Sequence, residues 1–216
     1  GTNAGDAMTS GHCNIAMGIN ALGVSTTGQL NIAIGRTAMG AADTTGNHNL
    51  AIGSAAMDAL TTGACNIALG LASLGAATTG CQNIAIGDSA MGGADTTGIY
   101  NIAIGSAAAD AIAAGHYNIA IGQNAYGAGT TGQRNVAIGN HALGTGVVEG
   151  NYNVAIGDDA GCKVTSGSCN VMIGAFAGDA LTTGTGDIAI GENALGVLTT
   201  GVQNVAIGEG AADALT

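Results

Sequence analysis

The chain repeats one pattern of apolar and polar positions twelve times. A polar residue is followed by a large aliphatic residue, usually alanine, a second large aliphatic residue and a glycine, as in Asn31–Gly35. Large and small apolar residues that alternate with a period of two are typical of β-strands. Helices are excluded, because glycine recurs too often and the segments between glycines are too short. The pattern therefore predicts twelve short strands.

The spacing of the pattern predicts how these strands are arranged. The first polar residue of each unit, called the lead residue below, recurs every 17 or 18 residues. A sustained period of this size indicates a stacked repeat architecture. We therefore predict an all-β parallel β-solenoid of the β-roll or β-helix type, with one repeat per turn, about twelve turns and roughly 4.8 Å between turns. Residues 1–216 would form a single repeat domain, and the chain begins and ends within a repeat, as expected for a segment of a longer fibre.

Two glycines occupy fixed positions in every unit. One lies four residues after the lead residue, as Gly35 does, and the other lies three residues before it, as Gly28 does. Glycine is required where the backbone needs a positive φ or where no room exists for a Cβ atom. The two positions therefore predict two bends per turn.

The strand pattern also leads to an expectation about the two faces. We expect the large aliphatic residues to fill the interior and the lead asparagine, the alanine and the glycine to face outward. That outward face would be flat, made of small groups and suited to burial against another chain. The open alternative is that the alanines pack inside a thin, wide solenoid.

The lead residue is asparagine in eleven units and Asp187 in the remaining one. A row of ligand-binding amides would be an alternative, but one residue type at one place in every turn favours a structural ladder of stacked amides. The ladder would consist of Asn14, Asn31, Asn49, Asn66, Asn83, Asn101, Asn118, Asn135, Asn153, Asn170 and Asn204.

Charge narrows the classes of partner. The formal net charge is −11, with 14 acidic and only three basic residues. Nucleic acids and anionic membranes both require a basic face, so we expect neither as a partner. No apolar run approaches the roughly 18 residues of a membrane span, and we expect no membrane insertion in this segment.

Motifs of catalysis and of cofactor binding are missing from the sequence. His12, His48, His116 and His141 occupy turns and positions that do not predict a shared metal ion. There is no Gly-Lys-Ser/Thr phosphate loop and no Gly-x-Ser-x-Gly nucleophile elbow. We expect no catalytic residue, metal or cofactor, and no enzyme. The enzymatic alternative is a solenoid acyltransferase, since hexapeptide-repeat acyltransferases have 18 residues per turn, but no long insertion interrupts this chain.

Two sets of side chains are candidates for surface contacts. Three tyrosines directly precede a lead asparagine and could stack on sugar rings or on another protein. Thr-Thr pairs recur in most turns and could form a stacked threonine row that binds ice or glycan, although stabilisation of turns is the commoner use of such hydroxyls. The candidate residues are Tyr100, Tyr117, Tyr152, Thr27, Thr45, Thr62 and Thr79.

The motifs at 31–39 and 44–49 resemble two known groups of repeats. One is the head repeat of trimeric autotransporter adhesins, and the other is the similar repeat of phage tail-fibre-like proteins. The resemblance implies a left-handed β-roll that assembles as a trimer. We therefore predict a structural fibre segment, located outside the cell, on the cell surface or on a virion. Its partners would be copies of itself, in a side-by-side trimer or a head-to-tail filament, with a cell-surface glycan as a further candidate.

Overall fold

The computed structural model describes residues 1–214 and divides the chain into two compact units, Gly1–Ala107 and Ala108–Thr216. Every regular element in the described residues is a strand of three residues. The first unit contains β1 (Ile15–Met17), β2 (Ile32–Ile34), β3 (Leu50–Ile52), β4 (Ile67–Leu69), β5 (Ile84–Ile86) and β6 (Ile102–Ile104). The second contains β7 (Ile119–Ile121), β8 (Val136–Ile138), β9 (Val154–Ile156), β10 (Val171–Ile173), β11 (Ile188–Ile190) and β12 (Val205–Ile207).

Within each unit, every strand pairs in parallel with the strand one repeat along the chain. The register places equivalent residues opposite each other, so that Ala33 faces Ala51 in the first unit and Ala137 faces Ala155 in the second. The protein is therefore an all-β parallel β-solenoid of about eleven turns with about 17 residues per turn, which confirms the predicted fold class. Its left-handedness and its single-domain organisation stay predictions.

The two fixed glycines serve different purposes. The glycine four residues after the lead residue has a positive φ, 137° at Gly139, and a Cβ there would overlap the carbonyl oxygen of Gly157 in the next turn. The glycine three residues before the lead residue lacks the positive φ. At Gly150 the reason is space alone, because a Cβ would overlap the carbonyl oxygen of Gly167. Only the first of the two predicted bends is thus made by left-handed backbone at glycine.

Other bends use left-handed backbone at residues that are not glycine. These positions lie directly before the lead residue and six and eight residues after it, as at Arg134, His141 and Leu143, with φ of 56°, 52° and 49°. Branching at Cβ makes a positive φ costly. Among the described non-glycine residues with positive φ, Thr37 is the only one that is β-branched.

The expectation that the large aliphatic strand residues fill the interior is wrong. The central residue of each strand from β2 to β12, alanine in all of them except β10, is buried, and the aliphatic residues on either side are partly or largely exposed. The interior is instead formed by these alanines, by alanines seven residues after the lead residue, and by the Leu or Met that follows, such as Leu143. The lead asparagines also face inward, so the alternative of a thin solenoid describes this chain.

A size exchange in the second unit shows why the interior accepts only small strand residues. Met172 replaces the central alanine in β10, and the positions that are usually Leu or Met carry Gly161 in the preceding turn and Gly178 in the turn of Met172 itself. A Cβ at Gly178 would lie 3.0 Å from Cγ of Met172. The two layers are so close that a large side chain on one requires a glycine on the other.

Candidate functional site

The outer face of the strands is an unusual surface. We call the side chains at the first and third residue of each strand the isoleucine face. In the first unit it comprises Ile15, Met17, Ile32, Ile34, Leu50, Ile52, Ile67, Leu69, Ile84, Ile86, Ile102 and Ile104. In the second unit it comprises Ile119, Ile121, Val136, Ile138, Val154, Ile156, Val171, Ile173, Ile188, Ile190, Val205 and Ile207.

The isoleucine face leaves apolar surface in contact with water. Outside the terminal strands its most exposed residues are Ile52, Ile104 and Ile156, with 39%, 37% and 36% of their residue surface accessible. Twelve aliphatic residues that are each partly or largely exposed give each unit an apolar surface on the order of 500 Å², comparable with the largest patches of soluble monomers, which are often functional. A strand face that is meant for water would carry Thr, Lys or Glu instead. The isoleucine face is therefore our first candidate for a binding surface.

The lead asparagines form a hydrogen-bonded column inside each unit. In the second unit the Asn153 side chain donates through Nδ2 to the carbonyl oxygen of Gly167 at 2.8 Å and to Oδ1 of Asn135 at 3.1 Å. Its own Oδ1 accepts the backbone N–H of Asn170 at 3.0 Å. The same arrangement occurs in the first unit, where Asn66 donates to Gly80 at 2.8 Å and to Asn49 at 3.1 Å.

The burial of this column decides its role. From Asn31 to Asn170 the lead asparagines are buried, and only Asn14 and Asn204, in the first and last repeats, are partly exposed. Buried amides that already form hydrogen bonds with the backbone and with each other are not accessible to a ligand in solution. The column holds successive turns in register and satisfies backbone groups that would otherwise be buried without partners.

Asp187 is the exception in the column. Its Oδ1 accepts the backbone N–H of Asn204 at 2.9 Å and Nδ2 of the same residue at 2.9 Å, as an asparagine Oδ1 would. Its Oδ2 occupies the place of the amide nitrogen, is buried and has no hydrogen-bond partner. A carboxylate oxygen carries no hydrogen to donate to a glycine carbonyl, as Nδ2 does in the neighbouring turns, so the column contains one unsatisfied polar atom here.

A row of aromatic and cationic side chains lies beside the isoleucine face in the second unit. Tyr117, Arg134 and Tyr152 each directly precede a lead asparagine, in three successive turns, and all three are exposed. The guanidinium carbon of Arg134 lies 5.3 Å from the ring centre of Tyr117 and 5.5 Å from that of Tyr152. Arg134 also donates to the hydroxyl of Tyr152 at 3.0 Å. Tyr100 has the equivalent position in the first unit and is exposed as well.

The two threonines of each pair have different environments. In the first four pairs the first threonine donates to the next turn, either to a backbone carbonyl oxygen, as Thr61 does to Thr78 at 3.0 Å, or to a carboxylate, as Thr78 does to Asp95 at 2.8 Å. The second threonine of each pair is exposed in the first unit, at Thr27, Thr45, Thr62 and Thr79. These four hydroxyl-bearing side chains repeat once per turn, so the structure brings them together as a row.

The described residues contain no group of three or more His, Cys, Asp and Glu side chains that could hold a metal ion, and no ligand-sized pocket is found among them. No helix in residues 1–214 is long and apolar enough to cross a membrane.

Burial raises the pKa of the Tyr126 phenol, whose oxygen accepts a hydrogen bond from Nδ2 of Asn135 at 3.2 Å. The buried Tyr126 fills the place that Leu143 fills in the next turn, so its role is packing.

The five cysteines are free thiols, and their environments differ. Cys13, Cys65 and Cys169 are exposed, whereas Cys162 is buried, and its burial, together with the nearby Asp159 carboxylate, raises the pKa of the thiol.

We expect Cys162 to resist alkylation at pH 8 under conditions in which the three exposed cysteines are modified completely, because only the thiolate reacts. Mass spectrometry of iodoacetamide-treated protein, with and without denaturant, measures this. Modification of Cys162 in the folded protein at the rate of Cys169 would contradict the placement of Cys162.

The strand faces and Arg134 are the features that sequence reasoning missed. A usable signal was present in the exchange of Met172 against Gly161 and Gly178, which places the strand alanines opposite the Leu and Met positions.

No family model matches the chain, and neither the curated proteins nor the solved structures provide a match.

Proposed function

We propose that the chain is a structural segment of a fibre and that copies associate side by side through the isoleucine face. The observation that supports this most strongly is the exposed apolar surface, which recurs on every strand of both units. Association would remove it from water at about 25 cal/mol per Å². Two copies that each cover the roughly 500 Å² of one unit bury about 1,000 Å² in total, near the lower limit for a specific interface.

Further features agree with a structural role. The interior of each turn is held by a column of amide hydrogen bonds rather than by a binding cavity, and each added turn reproduces the same contacts. The repeat resembles that of adhesin heads and of phage tail fibres, and this resemblance underlies our proposal of an extracellular, cell-surface or virion location and of three chains. We propose no enzymatic activity for this chain.

Replacement of two residues of the isoleucine face tests the proposal. We expect the double variant Ile138→Thr, Ile156→Thr to raise the dissociation constant of the assembly at least tenfold, because two apolar contacts per copy are lost. Threonine retains a high strand propensity, so the fold should persist. Sedimentation equilibrium at micromolar concentrations measures the change, and circular dichroism checks the fold.

The matched control removes the same number of exposed apolar side chains elsewhere. Val147 and Val197 have 50% and 45% of their residue surface accessible and lie outside the isoleucine face. The variant Val147→Thr, Val197→Thr should assemble like the unmodified protein. A protein that is monomeric throughout the micromolar range, or equal effects of both double variants, would overturn the proposal.

The exposed threonine row supports a second candidate, a module that binds an extended surface such as ice or glycan. Thr27, Thr45, Thr62 and Thr79 repeat once per turn, and all four are exposed. An ice-binding row should produce thermal hysteresis at millimolar protein, and Thr45→Lys together with Thr62→Lys should abolish it. Absence of hysteresis from the unmodified protein removes ice binding, and a glycan array without hits removes the glycan version.

A further inference from the structure

The isoleucine face of the second unit has two chemically different edges. Along one edge lie the residues that directly precede the lead residues, including Tyr117, Arg134 and Tyr152, which we call the tyrosine–arginine edge. Along the other edge lie the residues five positions after the lead residues, which we call the acidic edge. The acidic edge comprises Gln123, Asn140, Asp158, Ala175, Glu192 and Glu209. One edge therefore carries a cation and the other carries three carboxylates.

Arg134 is held in place without an acidic partner. Its guanidinium lies between two tyrosine rings and donates one hydrogen bond to Tyr152, so both stacking and hydrogen bonding restrict its conformations. Within residues 1–214, no carboxylate lies within salt-bridge distance of this guanidinium. This is notable in a chain with 14 acidic and three basic residues. Arg134 thus retains N–H groups that can donate to an acceptor from another molecule.

Hydrogen-bond acceptors for a guanidinium lie on the acidic edge, in the turn of Arg134 and in the next turn. Asn140 is in the same turn as Arg134, six residues further along the chain across β8. Nδ2 of Asn140 donates to Oδ1 of Asp158 in the next turn at 3.0 Å, which leaves Oδ1 of the amide and the second carboxylate oxygen as acceptors. Both residues are exposed.

The arrangement of these edges distinguishes the possible orientations of two copies. When two identical strand faces pack with their chains parallel, a rotation axis along the direction of stacking brings one edge of each copy against the opposite edge of the other. When the chains pack face to face and antiparallel, each edge meets its own counterpart. Antiparallel packing would therefore place the acidic edges together, and like charges in an interface are unfavourable.

We propose that copies associate in parallel and in register, with Arg134 of one copy facing Asn140 and Asp158 of the next. This proposal rests on the association through the isoleucine face and adds its orientation and its specificity-determining residues. The apolar face supplies most of the driving force, and the charged edges select the direction and the level at which chains pair. Tyrosine and arginine are also the residue types that contribute most at protein interfaces.

Charge exchange tests the proposal. Arg134→Glu and Asp158→Arg should each raise the dissociation constant about tenfold at low salt, because each places like charges opposite one another. The double variant Arg134→Glu, Asp158→Arg should return to within about threefold of the unmodified protein, since the pair is restored with exchanged signs. Lys163→Glu is the matched control. It makes the same change in net charge as Arg134→Glu, and Lys163 lies outside both edges, 3.6 Å from Asp179.

The outcomes separate the two proposals. Rescue in the double variant supports the parallel arrangement. The parallel arrangement is overturned if the single variants associate as Lys163→Glu does, or if the losses of binding free energy in the two single variants simply add in the double variant. Either result leaves the association through the isoleucine face in place. If the Ile138→Thr, Ile156→Thr protein associates normally, the association through that face is overturned instead.

Discussion

Replacement of Gly139 by alanine is expected to destabilise the second unit by about 4 kcal/mol, which is much of the stability of an ordinary domain. Two causes combine. The φ of 137° belongs to a region that costs other residues about 1–3 kcal/mol. In addition, the new Cβ would overlap the backbone oxygen of Gly157, which cannot move without breaking the stacking of the turns. Thermal unfolding followed by circular dichroism should show a decrease of about 10 °C or more.

Gly208 offers a control with nearly the same backbone and without the neighbour. Its φ is 124°, and a Cβ at this position meets nothing within 4 Å. Gly208→Ala should therefore show only the conformational cost, about 1–3 kcal/mol, and a smaller loss than Gly139→Ala. If both substitutions lower the unfolding temperature equally, close stacking of the turns is not what requires glycine at Gly139.

An exchange between amide and carboxylate in the interior column is expected to change stability in opposite directions at two positions. Asp187→Asn should stabilise the second unit by about 2 kcal/mol, because the buried unpaired Oδ2 becomes an amide nitrogen that can donate to a backbone carbonyl. Asn153→Asp should destabilise the unit by a similar or larger amount. The new oxygen would face two acceptors, the Gly167 carbonyl and Oδ1 of Asn135.

Differential scanning calorimetry of the two variants and of their combination measures these effects. The positions are two turns apart but are joined through Asn170 in the same hydrogen-bonded column, so the effect of the combination should differ from the sum by about 0.5 kcal/mol or more. Asp187→Asn without any increase in unfolding temperature would show that the unpaired oxygen is satisfied in solution. Unchanged stability of Asn153→Asp would contradict the amide column.

The fold class could be predicted because its cause lies in the period of the sequence. The recurrence of Asn-Ile-Ala-Ile-Gly every 17 or 18 residues indicates stacking, since only equivalent places in successive turns impose the same requirement. The glycine at positions such as Gly139 could be recognised for the same reason. Strand alternation alone, however, separates two faces without saying which is inside.

The prediction of the inner strand face is wrong because it equated a large side chain with a buried one. A large aliphatic residue is usually buried, but the two layers of this solenoid approach closely, and alanine is what fits. The compensation of Met172 by two glycines shows this constraint and is present in the sequence. The clustering of Arg134 with its two tyrosines could be predicted only as a shared column, because the ring and guanidinium contacts depend on side-chain conformations.

The central claim is that the lead asparagines and strand alanines lie inside each coil while the isoleucine face lies between chains. A cryo-EM map of the assembled protein, at a resolution that separates alanine from isoleucine, tests it most directly. We expect density for Ile138 and Ile156 in the contact between neighbouring chains and density for Asn135 and Asn153 in a column enclosed by one chain. A map with the isoleucines enclosed by their own chain, or with the asparagine column facing a neighbour or solvent, would contradict the account.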